Sequence, residues 1–120
     1  MIRVECDPGI CGNLCTVEAT RSSDPDVVEA NKRKVRLKIN SDCKKVTGLV
    51  NQLTEVDEGE VGEWDPIQPR GEPKICQYAH QYKFCAACPV PTAILKAIEV
   101  EAGLAIPRAA HIEFVSTERH

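Results

Sequence analysis

Aromatic residues are scarce in this chain, only 4% of 120 residues. That leaves little material for the stacked base-binding platforms of single-strand nucleic-acid proteins. A net charge of -3 gives no general attraction to nucleic acid or to anionic membranes. There are three histidines, too few to furnish a hydrolytic triad readily. Phosphate-binding G-x-x-x-x-G-K-[ST], dinucleotide-binding G-x-G-x-x-G, the G-x-S-x-G elbow and the zinc-protease H-E-x-x-H are all missing. No apolar run is long enough to span a membrane, and MIRVECDPGI lacks the basic and apolar segments of a secretory leader. The chain therefore reads as one cytoplasmic domain, 1–120, with no membrane and no nucleic-acid partner.

Cysteine, by contrast, is abundant, with seven at positions 6, 11, 15, 43, 76, 85 and 88. An odd number cannot all pair internally, and in a reducing compartment such clusters hold metal or perform thiol chemistry more often than they form a disulfide frame.

Hydrophobic periodicity assigns the elements. Ile2, Val4 and Cys6 alternate with Arg3 and Glu5, and after the turn PGICGN Cys15, Val17 and Ala19 alternate with Thr16, Glu18 and Thr20, which predicts a hairpin. SSDPD marks a loop. RKVRLKIN, residues 33–40, is the clearest strand. Ser41 or Asp42 then caps a helix carrying Val46, Leu49, Val50 and Leu53 on one face, with Cys43 in its first turn. Residues 54–74 hold seven acids, three prolines, three glycines and Trp64, and read as a long acidic loop. A short helix with Ile75, Tyr78, Ala79 and Tyr82 on one side follows, then a helix with Ile94, Leu95, Ile98 and Ala102. HIEFVS, residues 111–116, is expected to rejoin the sheet as a last strand. The fold class is α+β: an antiparallel sheet of three N-terminal strands and a C-terminal strand, covered on one face by helices.

The strand alternation places Cys6 and Cys15 in the core. Cys11 lies in a glycine turn whose amides face whatever the sulfur binds. Cys43 and Cys88 each open a helix, a setting that lowers thiol pKa. Pro89 and Pro91 stiffen the entry to the helix after Cys88. Cys85 completes a C-x-x-C with Cys88, and Cys76 or His80, four residues apart on the short helix, is a substitute ligand. No second C-x-x-C exists to complete a zinc ribbon.

The elements CGN at Cys11, SDC at Cys43 and CAACPVP ahead of TAILKAIEVEAG resemble, in order, those of the U-type iron-sulfur cluster assembly scaffolds. In that family three cysteines occupy a C-G-D turn after the first strand, a helix start, and an H-C before the last helix. Asn13 stands here in place of the Asp and Ala87 in place of the His. The chain is also similar, over nearly its whole length, to a family of small uncharacterised cysteine-containing proteins of anaerobic prokaryotes that share PGICG and CPVP...KAIEV.AGLAIP. CPVP further resembles the C-P-x-P of sulfur-relay carriers, whose cysteine bears a persulfide.

The scaffold resemblance and the thiolate donors together imply an iron-sulfur cluster held by Cys11, Cys43, Cys85 and Cys88, with zinc as the alternative metal. The expected role is cluster storage, delivery or electron transfer, with a protein partner and a homodimer both compatible and side-chain catalysis not expected. The alternative is a sulfur carrier or thiol-redox protein in which Cys88 is the nucleophile and Cys85 resolves it.

Overall fold

Charged and apolar residues alternate so regularly in the first forty positions that each strand acquires one dry face and one wet one. The computed structural model describes residues 1–22, 29 and 32–118; the loop read from SSDPD lies, from Ser23 onward, outside the described residues. Strand β1 is Ile2–Cys6, β2 Cys15–Arg21 and β3 Lys34–Ser41, each antiparallel to its neighbour. A three-residue strand, β4, Glu60–Gly62, pairs with the free side of β3 and gives the sheet order β1-β2-β3-β4. The helices are α1 Lys44–Asp57, α2 Lys74–Gln81 and α3 Val90–Glu101, with a 3-10 turn at Asp65–Ile67.

Cys15, Val17 and Ala19 of β2, Val35, Leu37 and Ile39 of β3 and Val61 of β4 form the dry face. They pack with Val46, Leu49 and Leu53 of α1, Ile75 and Tyr78 of α2, and Ile94 and Ile98 of α3 in one core. Full burial of each large aliphatic side chain contributes about 1.5–3 kcal/mol. Helix α3 lies against β1 and β2, α1 lies against β3 and β4, and α2 bridges the two helices. The α+β class, an antiparallel four-strand sheet with helices, is as the periodicity implies.

Two assignments change. The fourth strand is not HIEFVS: residues 111–116 contain no strand, and the place beside β3 is taken by β4. Alternation specifies which side chains share a face but not which partner is in reach, and β4 has only Val61 as a buried anchor, too short to show a period. For the same reason the acidic segment 54–74 is not one long loop. Helix α1 runs on to Asp57 and ends on left-handed Glu58, and the chain then enters β4 and the 3-10 turn. Buried Asp65 from that turn accepts the backbone N–H of Lys74 at 2.9 Å, capping α2 where Pro73 has no side-chain acceptor to offer.

Candidate functional site

Register fixes which loops meet. Cys6 stands opposite Cys15, and Cys15 opposite Ser41, so one row across β1, β2 and β3 lies at the same end of the sheet. The turn carrying Cys11 leaves from that row, as does the Ser41–Cys43 link into α1. Within the turn, Asp7 Oδ1 accepts the Gly9 N–H at 3.0 Å, and the Gly12 N–H donates to the Gly9 carbonyl at 2.9 Å. Gly9 and Gly12 both have positive φ, which a residue with a Cβ adopts only at a cost. Cys11 is exposed at the tip.

Cys43 is itself the N-cap of α1, one residue later than the sequence suggests. Its carbonyl accepts the Thr47 N–H, and its own N–H donates to Ser41 Oγ at 3.1 Å. The C-x-x-C closes a tight turn in which the Cys88 N–H donates to the Cys85 carbonyl at 3.0 Å. Cys88 directly precedes Pro89, the N-cap of α3, and its sulfur accepts the Val90 N–H. This turn is held in place from α2. Lys83 sits in the left-handed region, the Phe84 N–H reaches the Ala79 carbonyl at 2.9 Å, and the Lys83 N–H reaches the His80 carbonyl at 3.1 Å, a Schellman-type ending.

The thiols influence one another electrostatically. Burial raises the Cys88 thiol above its ordinary pKa, the Val90 N–H offsets part of this, and the charges of Cys11, Cys43 and Cys85 add to the rise. Burial also raises Cys6, assisted by Cys88, Asp7 and Cys11. Cys15, fully buried, is pushed up to about 11 by burial first and then by Cys6, Cys88 and Cys43. Six of the seven cysteines thus lie toward one end of the sheet, brought from sequence positions 6 to 88. The helix start was expected to lower the Cys88 pKa; desolvation outweighs the single N–H, and the net direction is upward. Lys45, in the first turn of α1, places Nζ 3.6 Å from the Cys85 sulfur and brings a positive charge to this set.

Cys11, Cys43, Cys85 and Cys88 thus lie toward the same end of the sheet, whereas Cys76 does not. It lines a groove of about 240 Å³ with Arg70, Leu95, Lys96 and Glu99. His80 is exposed on α2. Cys15 is fully buried in the core and Cys6 packs against it, as their strand alternation implies. Nothing in the sequence links Lys45 to Cys85. Among the described residues, no group of three or more His, Cys, Asp or Glu side chains is arranged to hold one metal ion, and no helix is long and apolar enough to cross a membrane.

Neither a curated protein nor a solved structure matches the chain. A family model does, over residues 2–114: the chain belongs to a family of unknown function (DUF6951).

Proposed function

From that membership, which brings no activity with it, and from the convergence of thiols, we propose that this protein binds an iron-sulfur cluster at the cysteine-rich end of its sheet. Cys11, Cys43 and Cys88 are the ligands, and Cys85 is the fourth. The observation that supports the reading is that a glycine turn, a helix N-cap and a tight turn before a helix bring Cys11, Cys43, Cys85 and Cys88 toward one end of the sheet, where charge on the other three acts on Cys88. The thiolates of a polynuclear cluster are shared among two or more irons, so sulfurs that do not all converge on one point suit it. A single zinc ion needs its donors around one centre, which the described residues do not provide. The Val90 N–H at Cys88 and the Lys45 ammonium at Cys85 are the donors and charge that accompany cluster sulfurs. The bound cluster supplies electron storage or a transferable iron-sulfur unit, which gives the protein a role in cluster storage, delivery or electron transfer, as the scaffold resemblance implies. The protein's own part is to present thiolates from rigid turns.

The sulfur-carrier alternative draws on the Cys85–Cys88 turn, with Cys88 as the nucleophile and Cys85 resolving it. Protein purified without oxygen should show broad visible absorbance with iron and acid-labile sulfide in matching amounts. The C11A, C43A and C88A variants should each lose it while keeping the far-UV circular dichroism of the parent. A colourless protein that resists reconstitution with iron and sulfide overturns the proposal; persulfide then found on Cys88 alone establishes the alternative.

A further inference from the structure

The segment after α3 is unlike the rest of the chain. Ile112 and Phe114 are each 89% exposed, and Val115 is 96% exposed. Such contiguous apolar exposure marks a surface that is covered in use. His111 Nε2 and Glu113 Oε1 lie 2.6 Å apart, so these two polar side chains share one side, and in an extended conformation Ile112 and Phe114 fall on the other. The segment is therefore a strand in its side-chain pattern without a ladder. The family match runs to residue 114, so it belongs to what the family shares rather than to an individual appendage.

A complementary surface is offered by the edge of the sheet. Strand β1 is the sheet edge, and among the described residues no strand pairs with its outer side. Unpaired edges accept extended segments. Aligning 111–115 antiparallel to β1 with Glu113 opposite Arg3 sets Phe114 against Ile2, Ile112 against Val4, and His111 against Glu5. Apolar side chains then meet on the helix-covered face and opposite charges meet on the other, both favourable cross-strand pairings. Arg3 already reaches Glu18 on β2 at 3.4 Å and remains half exposed, so it can serve both carboxylates.

The direction of the chain decides whose β1 is used. Helix α3 ends beside the start of β1, where the Met1 ammonium meets Glu101 Oε1 at 3.4 Å. A segment leaving there meets its own β1 running parallel, and in the parallel register that keeps Ile112 and Phe114 on the apolar face, Glu5 falls opposite Val115 and its charge match is lost. The antiparallel register is reached by a second copy. We propose that two chains exchange residues 111–115, each adding an antiparallel strand to β1 of the other, in a closed two-fold dimer.

Sedimentation equilibrium of the full chain under reductant, which prevents linkage through cysteine, tests this. The parent should sediment as two chains, and I112D/F114D as one with unchanged circular dichroism. R3E should weaken the dimer about tenfold, and R3E/E113R should restore it. A parent that is monomeric at all concentrations, an I112D/F114D variant that still dimerises, or charge reversal without rescue each overturns the exchange.

Discussion

Gly48 stands in the middle of α1, where a glycine normally weakens a helix by about 1 kcal/mol relative to alanine. Its reason is contact: a Cβ there would lie 2.5 Å from Tyr82 Cδ1. The Tyr82 hydroxyl in turn donates to Gln52 Oε1 at 3.0 Å, one turn further along α1. G48A should therefore destabilise the protein by roughly 1–2 kcal/mol in denaturant melts, overpacking outweighing the helix gain. Adding Y82L should recover most of that loss. At Lys83 the sign reverses. A non-glycine residue held at φ 59 costs about 1 kcal/mol, and K83G should raise stability by a similar amount without altering the Schellman-type bonds. Cys15 supplies a pH test. Its folded pKa is raised from 9.0 to about 11. The thiol's contribution is thus fully present below about pH 9 and lost as pH climbs toward 11. In metal-free protein Cys15 should account for roughly 2–3 kcal/mol of the decline across that window, beside the raised Cys6, Cys88 and Tyr78, and C15A should remove that share.

At the level of elements, legibility followed length. Strands β1 to β3 and the apolar faces of all three helices could be read because each repeats its period at least twice. Val46, Leu49 and Leu53 are buried as their spacing implies, and so are Ile75, Tyr78, Ala79, Ile94 and Ile98. β4 was hidden because a single buried valine between two glycines has no period; only β3 beside it makes it a strand. HIEFVS was misplaced for the opposite reason, a clear period with no partner inside the chain. Cys11, Cys43, Cys85 and Cys88 were singled out by local setting alone. Their meeting at one end depends on the Cys6–Cys15–Ser41 row and on α3 crossing β1 and β2, neither of which any local pattern encodes. Lys45 and the groove around Cys76 are likewise products of packing.

For the molecule as a whole, the two ends of the sheet do different work. At the end away from the thiols, Arg21 ties β2 to its surroundings: its guanidinium meets buried Glu63 at 2.5 Å and the Ala102 carbonyl at 3.3 Å, while its amide donates to Glu101. R21M should cost roughly 1–3 kcal/mol, between the values for surface and buried pairs, because Glu63 keeps its charge in a buried place. R21M/E63L should regain part of it. At the thiol end, the proposed cluster binding requires displacing protons from Cys88, whose pKa is raised. Reconstitution with iron and sulfide should therefore improve steadily across roughly pH 6 to 9, and the trend is readable from the visible absorbance.

The packing of α3 on β1 and β2 also has a consequence in time. The helix that covers the first hairpin is the last one to be synthesised, so a growing chain carries the apolar side of that hairpin bare until residues 90–101 have emerged. Cys11 and Cys43 then wait for Cys88, and the thiol end comes into being only when the core closes. On the proposed reading, supplying iron and sulfide to a chain arrested before residue 88 should load nothing, because the thiol end is the final product of folding and not its seed.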